Sequence, residues 1–177
     1  MSIITDMNNP MKILIRKKTI RHLKHEESLL VHSEINRYIS QLKINIKEDR
    51  RWLSTKHSEL DTDISAYETL TDYEWDVNEL YFENELVKRR YQLYIKEILK
   101  ATNEAFNMFF PRIPVCVIVT VQKGKYANIS VRFHMYRNGE FHIEKNLKGY
   151  KQPVLYEIYN CDHIENESSD KNIDNAS

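Results

Sequence analysis

No proline interrupts residues 11–110, between Pro10 and Pro111, and all three glycines lie later, at 124, 139 and 149. The two strongest breakers of regular structure are thus both missing from that stretch, and long helices are the natural expectation. The apolar spacing agrees. Ile35, Ile39, Leu42, Ile46, Leu53 and Leu60 fall on alternating steps of four and three, interrupted by Asp49 and Lys56, which is the seam of a helix with one apolar stripe. Asp61-Thr62-Asp63 reads as a break. Thr71-x-x-Glu74 then reads as a capping box, in which hydroxyl and carboxylate each bond the other residue's amide. From there Val77, Leu80, Asn84, Val87, Tyr91, Tyr94, Ile98, Ala101, Ala105 and Met108 repeat the four-three spacing as far as Phe109-Phe110-Pro111, where proline ends a helix. Such a second helix would be roughly 50 Å long. Two seams with a short link predict a long antiparallel helical hairpin over about residues 26–110.

After Pro114 the period changes to two. Val115, Val117, Val119 and Val121 alternate with other residues, as do Ile129, Val131, Phe133 and Met135, then Phe141 and Ile143, then Val154, Tyr156 and Ile158. This predicts a four-stranded antiparallel β-meander over about residues 113–159. Pairing apolar with apolar requires three-residue loops, Gln122 to Gly124 and Arg137 to Gly139, with Met135 beside Phe141 and Val119 beside Ala127. The fold class expected is therefore α+β, in a single domain spanning residues 11–160. Residues 1–10 are expected to be a flexible leader, and the polar, aperiodic residues 161–177 a disordered acidic tail.

Charge is balanced in total, with 26 acidic and 26 basic side chains, but unevenly placed. From Ser58 to Val87 there are ten carboxylates and no Lys or Arg. Tyr67, Tyr73, Trp75, Tyr81 and Phe82 stand among them. Carboxylates at the start of a helix complement its dipole, which accounts for Asp72, Glu74 and Asp76. It does not account for Glu59, Asp61 and Asp63, placed where the first helix should end. An exposed field of one sign steers a partner of the other sign, and desolvated aromatic rings supply contact energy. The expected function is non-catalytic: capture and neutralisation of a basic partner protein, of the immunity-protein, antitoxin or nucleic-acid-mimic type, with a nuclease toxin or other nucleic-acid-binding protein as the target. The contacts expected are Glu59, Asp61, Asp63, Tyr67, Asp72, Tyr73, Glu74, Trp75, Asp76 and Tyr81.

The competing expectation places a metal-independent ribonuclease or RNA-binding site on an open sheet face. There Arg132, His134, Tyr136 and His142 would be neighbours, with histidine or tyrosine moving a proton and arginine steadying the phosphorane. Alternating polar residues on a solvated sheet face give the same pattern. A third expectation is a coiled-coil adaptor that self-associates as a homodimer through seam positions such as Tyr91 and Ile98. Nucleic acid is expected only at the basic sheet end (Lys123, Lys125, Arg132, Arg137, Lys145, Lys148) or along residues 12–25, which carry Lys12, Arg16, Lys17, Lys18, Arg21 and Lys24.

Gly-rich phosphate loops are absent, His22, His25 and His32 lack the carboxylate spacing of a metal site, and Cys116 and Cys161 form no framework. No cofactor or metal is expected. Without an apolar run of membrane-spanning length or a secretory h-region, the expectation is a cytoplasmic protein with no membrane span.

Overall fold

The computed structural model describes residues 3–16, 22–47, 50–55, 66–83, 85–140 and 147–164. In chain order these form β1 (Ile4–Met7), α1 (Asn9–Arg16), α2 (His25–Ile39), β2 (Leu42–Lys47), β3 (Arg50–Thr55), α3 (Leu70–Val77), β4 (Glu79–Phe82), α4 (Glu85–Phe109), β5 (Val115–Gln122), β6 (Asn128–Met135) and β7 (Val154–Tyr159). The fold is α+β. A five-stranded antiparallel sheet has the order β1-β7-β5-β6-β4, and β2 and β3 make a separate two-stranded ribbon.

The period-two run after Pro114 forms the centre of the large sheet. Val115, Val117, Val119 and Val121 on β5 join Ile129, Val131, Phe133 and Met135 on β6 in one buried face. That face packs against Val31, Ile35 and Ile39 of α2 and Ile95, Ile98, Ala101, Ala105 and Phe106 of α4. The pairing differs from the meander expected. β5 lies between β6 and β7, and Val119 pairs with Val131 rather than Ala127. The connection is residues 123–127, longer than three residues, yet the slip is an even number of positions, so every side chain keeps its face. The second turn is shorter than expected: Arg137 and Glu140 bridge directly across Asn138-Gly139. Gly139 has φ 91° and Gly124 φ 102°, conformations that glycine adopts without a Cβ clash. The third strand expected, with Phe141 and Ile143, lies outside the described residues.

The helical hairpin gives way to a different order. The first seam is helical only to Ile39. Leu42, Ile44 and Ile46 also alternate at period two, and they form a strand, Ile44 opposite Leu53. The expected second helix is three elements. Its start is set by Thr69, whose hydroxyl accepts from the Asp72 amide at 3.0 Å while Asp72 bonds the Thr69 amide at 3.2 Å; the box lies two residues earlier than Thr71-Glu74. Helix α3 ends at Asn78, which is fully buried. The Asn78 side-chain amide donates to the carbonyls of Leu53 and Phe133 at 3.0 and 3.3 Å, and the Asn78 backbone carbonyl accepts from the Phe133 backbone amide at 3.1 Å. These bonds require an extended crossing between ribbon and sheet, which a continuous helix cannot supply. In α4 the helical path is broken at Arg90 (φ −138°, ψ 31°). Between α2 and α4, contacts advance together along both helices, from Glu27–Arg90 through Ser28–Glu97 to His32–Glu104, so the two run in the same sense rather than antiparallel.

The segment expected as a leader is an edge strand and the start of a helix. β1 pairs with β7, and Asn8 donates to the carbonyls of Tyr150 and Gln152 at 3.1 and 2.7 Å while accepting from the amides of Met11 and Val154 at 3.0 Å each. Residues 161–163 form a 3-10 turn after Asn160; the tail from residue 165 lies outside the described residues.

Candidate partner-binding surface

The acidic segment of the sequence is divided between the interior and the surface. Glu74 is 0% exposed. Its carboxylate accepts from the Leu53 amide, from the Met135 amide at 3.1 Å and from Arg137 Nη1 at 2.6 Å. Burial pushes its pKa up to about 7, against the pull of Arg137 and the two amides. Arg137 is held in turn by the Thr71 hydroxyl and the Arg51 carbonyl. This network joins α3, β3 and the end of β6, so Glu74 is a structural group and not a partner contact. Tyr73 is likewise buried, its ring edge-on to Tyr67 at 5.4 Å. Asp72 is occupied in capping Thr69.

Glu79 is also matched internally. It lies 2.8 Å from Arg132 Nε and accepts from Arg132 Nη2 at 2.8 Å and Ser130 Oγ at 2.5 Å. Burial raises its pKa, but the bonds from Arg132 and Ser130 outweigh that and hold it below its ordinary value. The Arg132 guanidinium stacks on Trp75, 4.4 Å from the ring centroid. Trp75 is thus partly spent on the protein's own cation.

What remains exposed is a shorter set. Glu68, Asp76 and Glu83 are exposed and form no ion pair among the described residues. Tyr67 donates to Asp76 at 3.1 Å. Tyr81 is 49% exposed, because alternation along β4 turns Leu80 and Phe82 into the core and Glu79 and Tyr81 to the other face. Glu59, Asp61 and Asp63 lie outside the described residues.

The sheet face expected to be open is covered. Cys116, Ile118, Val154 and Ile158 form a second core with Leu147, against which Trp75, Tyr136, Tyr150 and Tyr156 pack. His134 is 4% exposed and its Nδ1 lies 2.9 Å from the Met135 carbonyl. Arg132 is committed to Glu79 and Tyr136 to the second core, and His142 lies outside the described residues. Of the three described, His134 is buried and Arg132 and Tyr136 are engaged within the protein, so they present no open site.

Sequence reasoning named Glu74 as a partner contact and Arg137 as part of a basic sheet end, but not their pairing across 63 positions. Nothing in a single sequence couples positions so distant. No group of three or more His, Cys, Asp or Glu among the described residues is arranged to hold a metal ion, and none of the described helices is long and apolar enough to cross a membrane. A family model described as "Uncharacterized protein PM0498 family" matches residues 6–169. No curated protein and no solved structure matches the chain.

Proposed function

We propose that this chain, which belongs to the Uncharacterized protein PM0498 family, is a non-catalytic binding protein that captures a basic partner protein on its α3–β4 segment. The observation that carries this is the contrast within one stretch of chain. Glu74 and Glu79 are matched to Arg137 and Arg132, while Glu68, Asp76 and Glu83 stay exposed and without an ion pair among the described residues. Like charges left unmatched on a surface cost stability through mutual repulsion, and they raise association with an oppositely charged partner. Tyr67 and Tyr81 beside them supply amphipathic rings of the kind that dominate contact energy once desolvated. Capture of a nucleic-acid-binding partner, such as a nuclease toxin, follows from the same chemistry, because carboxylates can stand where phosphates would lie. Asp72, Tyr73 and Glu74 drop out of the contact set, and Glu68 and Glu83 enter it.

The test is charge reversal. Asp76→Lys with Glu83→Lys is expected to lower the association rate with a basic partner by roughly tenfold or more at low salt, with thermal unfolding little changed because both side chains are exposed and the Tyr67–Asp76 bond lost is a surface one. Capture by the native protein should weaken as salt is added. Surface plasmon resonance against purified basic proteins, including a basic ribonuclease, measures both. Capture that survives charge reversal, or that is indifferent to salt, removes the proposal.

A further inference from the structure

We propose that the outer edge of β4, with the groove beside it, is a strand-addition site for an extended segment of the partner in which apolar and basic side chains alternate. This rests on the capture of a basic partner and names the part of it that is held.

β4 ends the five-stranded sheet, and no strand among the described residues pairs with its outer edge. The direction of its backbone groups follows from the pairing. The Phe133 amide donates to the Asn78 carbonyl, one residue beyond the Glu79–Arg132 pair, so Asn78 and Phe133 are a hydrogen-bonded pair. Bonded pairs alternate along an antiparallel ladder. Leu80 and Phe82 therefore turn their amides and carbonyls to β6, and Glu79 and Tyr81 turn theirs outward; the Glu79 amide meets the Tyr38 hydroxyl of α2, so the Tyr81 amide and carbonyl are the groups this edge offers.

Beside this edge, between β4, α2 and α4, is a cavity of about 360 Å³ lined by Leu30, Val31, Glu34, Arg37, Phe82 and Tyr94, with Glu27 and Ser33. Val31, Phe82 and Tyr94 are buried, and Leu30 is 70% exposed. An added strand would place every second side chain on the face of Phe82, over this apolar cavity. The side chains between would fall on the opposite face, beside Tyr81. Main-chain bonds give such a complex its affinity, and the pockets for alternate side chains give it specificity. Glu79 is already matched by Arg132, so Glu83, which follows β4, and Asp76, three positions before that strand, are the exposed charges that would select cations. Acidic segments are disfavoured by the same field.

The experiment uses the full chain and fluorescence anisotropy with end-blocked synthetic peptides of about seven residues. One alternates Val and Lys, a second has the same composition in two blocks, and a third alternates Val and Glu. The alternating Val–Lys peptide is expected to bind about tenfold more tightly than the block peptide, and the Val–Glu peptide not at all. Tyr81→Pro removes an outward amide, a position where an edge strand accepts proline, and should bring the tenfold ratio close to one. Tyr81→Ala keeps the amide and loses the ring; it should weaken both Val–Lys peptides and preserve the ratio. Equal binding of the two, still abolished by Asp76→Lys with Glu83→Lys, overturns strand addition and leaves charge-driven capture standing. Failure of both to bind removes the two together. A dimer that Tyr81→Pro converts to a monomer without peptide assigns the edge to a second copy and overturns the peptide as occupant.

Discussion

The Glu74 carboxyl keeps a proton, across the interval from its ordinary value of 4.5 to about 7, that the unfolded chain has already released. Its stabilising contribution is therefore complete below pH 4.5, declines as pH rises to about 7 and is flat above that. The change is on the order of 3 kcal/mol. Urea unfolding across that window should show this decline, and Glu74→Gln should flatten it. The same substitution should cost about 2 kcal/mol at neutral pH, since an amide NH₂ would face N–H donors where a carboxylate oxygen now accepts. A slope that persists in Glu74→Gln assigns it to another group. Glu27 has the opposite sign: its bond with Arg90 holds it below its ordinary value, so its contribution is lost as pH falls below 4.5. At this scale the sequence marked Glu74 as important but for the wrong reason, because its role depends on Arg137, Leu53 and Met135, none of them near it in the chain. Asn160 was similarly silent. It adopts φ 59° and ties the carbonyls of Phe110 and Ile113 at 3.1 and 3.0 Å, and only the folded chain shows that a turn is needed there.

Elements were legible where one periodicity was compatible with the residues and illegible where two were. Val115 to Val121 fits period two alone, and β5 formed as expected. Leu42 and Ile46 sit on both the four-three seam and, with Ile44 between them, a period-two pattern, and the strand won because it buries Leu42 and Leu53 together while its partner strand is fastened to α3 and β6 by Glu74 and Asn78. The alternation Leu-Lys-Ile-Asn-Ile-Lys was the available signal. Proline's absence misled for a related reason: it permits a long helix without requiring one. Helix α3 offers a direct check on its boundary. Thr69→Ala removes the hydroxyl that accepts from Asp72 and should lower stability by about 1 kcal/mol, read as a fall in the thermal midpoint. A neutral result would move the helix start back to Thr71, whose hydroxyl instead donates to Glu140 at 2.8 Å and accepts from Arg137 at 3.3 Å.

Over the whole molecule, the even balance of 26 acids and 26 bases is partly spent inside, on pairs such as Glu74–Arg137 and Glu79–Arg132, so among the described residues fewer carboxylates of the acidic segment are left unmatched than the sequence suggested. The architecture is also less local than a hairpin followed by a meander. Strand β1 closes the sheet against β7, with Thr5 bonded to Glu157 across 152 positions. Asn8 secures that closure with four bonds to residues on both sides. Asn8→Ala should cost about 3 kcal/mol by leaving buried backbone groups unmatched. Contacts so distant form late, so stopped-flow urea kinetics should show the loss mainly as faster unfolding, with the refolding rate little changed; a refolding rate that falls by the full amount would place the closure early. During synthesis the same arrangement imposes a delay. At about 5–20 residues per second, residues 4–7 leave the ribosome roughly eight to thirty seconds before residues 155–158 follow, and for that interval the strand is a loose thread whose seat has yet to be translated.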